Sequence, residues 1–126
     1  MKRRVALLVW CLVPWVNGAA QEIQRNEAKS TFLVVYKPGP AWVQGKPVSE
    51  QPLKEHGKYK LSLYAKGVLK FAGPFADDAG GAVVLEVANE TEARAIVAED
   101  PAVKSHVFLN EMHPWALVEW DKYLKK

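Results

Sequence analysis

The chain has 126 residues, a formal net charge of +3 and a single cysteine. That length suits one domain and leaves no room for two sizeable ones. All the excess charge sits in Lys2, Arg3 and Arg4: residues 21–126 hold 14 basic side chains, the 17 Lys and Arg less those three, against 14 Asp and Glu. That balance leaves nothing to suggest nucleic-acid binding, which requires a clustered basic face.

The basic start is followed by an apolar run over 5–16 and a small-residue exit, Asn17-Gly18-Ala19-Ala20. This pattern predicts a secretory signal peptide over 1–20, cleaved after Ala20, with Ala19 as the alternative point. The run falls short of the roughly 20 apolar residues of a membrane span. A buried N-terminal helix would also be apolar, but Pro14 interrupts the run and the basic start has no role there. Cys11 leaves with the tag, so thiol catalysis, disulfides and cysteine-based metal sites are excluded from the mature protein. The expectation is a soluble protein, periplasmic or secreted, with no stable membrane anchor after cleavage.

Residues 21–30 are polar and aperiodic and read as a flexible lead-in. TFLVVY at 31–36 is a β-branched and aromatic run that predicts a buried strand, closed by Lys37-Pro38-Gly39-Pro40. The long loop that follows carries Trp42, which either lines a ligand site or pins its own loop to the body. A helix follows, with Ser49 or Gln51 as cap and Pro52 in its first turn. Its expected face is Leu53, His56, Gly57, Lys60, Leu61 and Tyr64, and Gly67 stops it. VLKFA at 68–72 predicts a second strand ending at Gly73-Pro74-Phe75. The DDAGG turn at 77–81 leads to a third strand, AVVLEV at 82–87. Asn89 with Glu92 resembles a capping box for a second helix, buried through Ala93, Ile96 and Val97 and ended by Pro101. HVFLNE at 106–111 predicts the fourth strand, residues 115–120 an extra edge strand, and 121–126 a solvated basic tail.

The order β-α-β-β-α-β is the ferredoxin-like split motif, an α+β fold with a four-stranded antiparallel sheet, here spanning 31–120. Both helices fall on one face of that sheet. Strands this apolar on both sides cannot leave the other face in water, which predicts a homodimer with its sheets face to face, a dimeric α/β barrel.

Four residues bear on chemistry. His56 sits in the opening turns of its helix, where the dipole disfavours the imidazolium and favours a neutral base; a histidine hydrogen-bonded at a helix margin is the plainer alternative. Asp100 ends a helix, where the dipole disfavours an anion, although Asp before Pro is also ordinary in a turn. If the helix ends meet, Asp100 would orient His56. Gly57 in mid-helix costs about 1 kcal/mol against Ala, which predicts a close neighbour, either a strand or a ligand. Lys60 on the same face either snorkels outward or offers its charge to an anionic ligand. His106 and His113 point to opposite faces of a strand, and His56, His113 and Glu111 could hold a metal only if the fold happened to gather them. No phosphate loop, zinc motif, nucleophile elbow or paired-carboxylate spacing occurs.

The order His56, Gly67, Gly73-Pro74, DDAGG and Asp100-Pro101, with PGPAW at 38–42 and His113-Pro114-Trp115, resembles the YCII-related proteins over residues 31–116. The resemblance implies a ferredoxin-like dimer with a His–Asp pair as its active site, here His56 and Asp100. Some of those proteins are associated with dehydrochlorination of chlorinated hydroquinones, and the wider fold includes muconolactone isomerases. Two departures stand out: the export signal, and Lys60 where an apolar residue is usual. The expected function is a cofactor-free, metal-free acid–base enzyme, an isomerase or lyase acting on a small cyclic or aromatic compound. His56 and Asp100 would be catalytic, and Trp42, Lys60, Tyr64, Gly73, Pro74 and Phe75 would contact substrate. An exported binding protein of the same fold is the alternative, and a haem or metal binder a third reading.

Overall fold

The computed structural model describes residues 28–125, so the expected signal peptide and most of the expected lead-in lie outside the described residues. Four strands, β1 (Ser30–Pro38), β2 (Leu69–Pro74), β3 (Gly81–Val87) and β4 (Phe108–Pro114), form one sheet in the order β2-β3-β1-β4. Every pairing is antiparallel. Helix α1 (Lys54–Ala65) joins β1 to β2, and α2 (Glu90–Ala98) with the short α3 (Pro101–Lys104) joins β3 to β4. This is the ferredoxin-like α+β arrangement, with β1 and β3 at the centre.

Strand alternation sorts the two faces. Phe32, Val34 and Tyr36 of β1, Val83, Leu85 and Val87 of β3, and Phe108 of β4 are buried under the helices with Leu63, Ala93, Val97 and Ala102. On the opposite face Leu33 pairs with Val84 and with His113, and Val35 with Ala82 and Glu111. The apolar members of that face are half-buried, while Leu109 and Phe71 are exposed.

Tight turns set the strand ends. Gly80 has φ +125°, and a Cβ there would fall on the Tyr36 carbonyl oxygen, so only glycine lets the turn before β3 approach β1 so closely. Gly67 at φ +75° closes α1: its N–H bonds the Tyr64 carbonyl at 3.0 Å and the Val68 N–H bonds that of Leu63 at 3.0 Å.

Several local expectations are corrected. Neither Ser49 nor Gln51 caps α1; its N-cap is Leu53, with no side-chain bond. Gln51 instead clasps the preceding loop, accepting from the Val43 N–H at 2.8 Å and donating to the Val43 and Lys46 carbonyls at 2.9 Å each. The face of α1 is rotated from the expected one: Lys60 and Leu63 are buried and Tyr59 partly so, whereas Leu61 and Tyr64 are exposed. Leu63 could claim the core because β2 and β3 offer Leu69 and Leu85 beneath it, a tertiary preference invisible in the helix period. Among the described residues nothing lies within 4 Å of a Cβ built at Gly57, so no neighbouring strand explains it. Residues 115–119 form no strand, and 3-10 turns occupy Val48–Glu50 and Trp120–Tyr123. The Trp115 N–H still bonds the Thr31 carbonyl at 2.8 Å, after which the chain leaves the sheet.

Candidate functional site

Asp100 is the organising residue. Pro101 disfavours the helical conformation in the residue before it, so Asp100 is extended (φ −63°, ψ 123°), and the proline starts α3 at its first position. Asp100 therefore caps a new helix rather than ending an old one. Its Oδ1 accepts the Ala102 N–H at 2.9 Å. The anion obeys the local dipole rule, contrary to the expectation that it breaks it.

The side chain is fully buried and meets three others. His56 Nδ1 lies 2.8 Å from Oδ1 and 2.9 Å from Oδ2. Lys60 Nζ, one turn further along α1, is 2.9 Å from Oδ2 and donates to the Tyr36 hydroxyl at 2.6 Å. The Tyr36 hydroxyl makes a longer contact to Oδ2 at 3.4 Å. Among the described residues no buried side-chain polar atom lacks a partner, as a buried charge cluster requires if it is not to be strongly destabilising.

Burial pushes the Asp100 carboxyl up, but the hydrogen bond from His56 and the charge of Lys60 outweigh it and hold the group below its ordinary range. Burial lowers the Lys60 ammonium against the pull of Asp100. Burial, then the charge and hydrogen bond of Asp100, raise the Tyr36 phenol far above its ordinary value and keep it a neutral donor.

His56 is held on its other sides by rings. Its imidazole packs at 5.7 Å from Tyr36 and 5.4 Å from Phe108, both edge-on. Phe108 in turn rests on Trp42 at 5.6 Å. With Nδ1 taken up by the carboxylate, Nε2 is the ring nitrogen left to face other groups. His56 lines a cleft of about 590 Å³ between the start of α1, α3 and the loop after β1. Ala41, Pro52, Pro101, Ala102 and Val107 make that lining apolar, with Lys54, Glu55 and Ser105 as its polar members. The volume falls in the range of small-molecule sites.

A family model for the YCII-related domain matches residues 30–116. The chain belongs to the YCII-related domain family. A search of curated proteins finds no match. In this YCII-related chain His56 and Asp100 meet across 44 residues of sequence, while the other expected substrate contacts are dispersed. Trp42 is buried behind Phe108 and serves to pin its loop, outside the cleft lining. Lys60 is buried against Asp100, neither snorkelling nor presented to a ligand. Tyr64 is exposed two turns further along α1 and lines no part of the cleft. Gly73, Pro74 and Phe75 lie at the end of edge strand β2, two strands away from β1, and line no part of the cleft. His113 pairs instead with Glu111 at 3.0 Å on the open sheet face, and His106 is exposed before β4.

Tyr36 and Gln51 were not singled out from the sequence. A tyrosine ending a buried strand carries a hydroxyl that must find a partner, which is the signal that could have marked Tyr36. Gln51 offers no comparable cue, since its partners are backbone groups of a loop whose shape the sequence does not specify.

Proposed function

We propose that this YCII-related protein is a cofactor-free acid–base enzyme of the isomerase or lyase type, acting on a small cyclic or aromatic compound bound beside His56. The observation that carries this reading is the orientation of one imidazole: Nδ1 anchored on a buried carboxylate, with the ring at the wall of an apolar cleft. His56 Nε2 takes a proton from an activated C–H of the substrate, and Asp100 stabilises the imidazolium that forms. The electron pair left on carbon then has two outcomes. Delocalised onto a different carbon, which takes a proton back from His56 after exchange with solvent, it completes an isomerisation. Used to form a double bond as a leaving group such as chloride departs, it completes an elimination, and His56 passes its proton to water.

Incubating the mature protein in D2O with hydroxylated aromatics, their chlorinated forms and lactones tests this by deuterium incorporation and chloride release. Exchange or turnover that vanishes in His56→Ala supports the assignment; turnover retained in that variant overturns it. A binding protein without turnover is the second reading, favoured by the apolar lining, which could hold a ligand with no proton transfer. Thermal shifts by such ligands that survive the loss of both His56 and Asp100 would select it.

We also propose that the protein is exported and works as a homodimer through its open sheet face. The basic-apolar-small pattern of residues 1–20 supports export, and N-terminal sequencing of protein recovered from the periplasm or medium tests it. The half-buried Leu33, Val35 and Val84 beside exposed Leu109 and Phe71 support a second copy on that face.

A further inference from the structure

Lys60 reaches neither solvent nor cleft: its side chain is 10% exposed, its ammonium sits 2.9 Å from Asp100 Oδ2, and the same oxygen lies 2.9 Å from His56 Nδ1. One carboxylate therefore serves an imidazole and an ammonium on the same helix, a turn apart. A simple His–Asp pair gives the imidazolium an undivided counter-ion. Here part of that field is already neutralised, and a second positive charge stands across the same oxygen. We infer that Lys60 is a positioning residue for the proton transfer proposed above: by sharing Asp100 with His56, it limits how strongly the carboxylate holds the imidazolium and keeps Nε2 a ready proton carrier.

The inference rests on His56 being the proton-transfer group, but it is read out without turnover. The charged and titratable groups around His56 are few. Asp100 at the start of α3 faces Nδ1, Lys60 follows on α1, and Tyr36 faces the ring from β1. Lys54 and Glu55 share the cleft wall beside it. Tyr36 stays neutral, and Lys54 and Glu55 are exposed and of opposite sign, so their effects are screened and offset each other. Lys60 is the buried charge whose removal the imidazole should feel.

Lys60→Met keeps the apolar stem and removes the charge. Following the His56 ring by NMR against pH, its titration is expected to move upward by about one pH unit relative to wild type. Lys60→Arg, which keeps the charge, should return it close to the wild-type curve. A folded Lys60→Met protein with an unmoved His56 curve would overturn the inference. Should that variant not fold, the side-chain nitrogen signal of Lys60 in the wild-type protein decides: an ammonium at neutral pH supports the role, and a neutral amine overturns it. If the His56 curve moves as expected while no substrate is ever turned over, the enzyme reading fails and the electrostatic coupling stands. Where turnover is found, the acid limb of its pH profile should shift in Lys60→Met in the same direction as the ring.

Discussion

His56 Nδ1 and the carboxylate of Asp100 lie 2.8 Å apart at Oδ1, although 44 residues separate them in the chain. The contact joins the first turn of α1 to the cap of α3. It turns two ordinary helix-end residues into one unit beneath a cleft.

Removing the imidazole should remove the chemistry and little else. His56 is only partly buried, and its polar bond is to a carboxylate that keeps Lys60 and the Ala102 N–H as partners. His56→Ala is expected to lower turnover by at least about 100-fold, the scale of general-base catalysis. Circular dichroism should remain that of wild type.

Asp100 should matter to stability as well. Asp100→Asn keeps the cap on Ala102 but leaves the buried Lys60 ammonium without its counter-ion, a loss of about 3 kcal/mol in urea denaturation. Its pH dependence has a definite sign. The folded-state carboxyl lies below its unfolded value, so its contribution is fully present above about pH 4 and declines as the pH falls through the folded value. The gap between wild type and Asp100→Asn should narrow in acid. A gap that widens below pH 4 would contradict the assignment of charges.

Gly57 is a residue the helix would be better without. A Cβ there meets nothing within 4 Å, and its backbone is an ordinary helical one, not at positive φ. Gly57→Ala is expected to stabilise the protein by about 0.5 to 1 kcal/mol, seen as a higher urea midpoint with an unchanged slope. A loss of stability would mean that something does cover this side of α1, a second copy included.

The open sheet face makes its own prediction. Val84 stands near its centre, paired with Leu33 and opposite Phe71. Val84→Glu should convert a dimer into a folded monomer in sedimentation. A wild-type monomer, or a Val84→Glu dimer, would rule out face-to-face sheets.

Much of the fold is legible locally. The apolar runs of β1 and β3, the turn residues Gly67 and Asp77, and the Asn89 cap, which accepts the Glu92 N–H at 2.9 Å, act within a few residues of themselves. The side of α1 that would be buried was less legible. His56 and Lys60 lie on both the expected and the observed face, and the choice between Leu61 and Leu63 depends on what the sheet presents. Asp100 reads ambiguously for a related reason. Until Pro101 is known to begin a helix, the residue before it can equally belong to the end of the previous one.

The sequence by itself determined the order of elements, the strand alternation and the presence of His56 and Asp100, because periodicity and turn chemistry are properties of neighbouring residues. Tertiary structure alone decided that Lys60 and Tyr36 complete the Asp100 cluster and that Trp42, Tyr64 and Phe75 stand apart from the cleft. The reason is physical: a buried charge must collect its partners from whichever elements pack around it, and that packing is settled by the whole core at once.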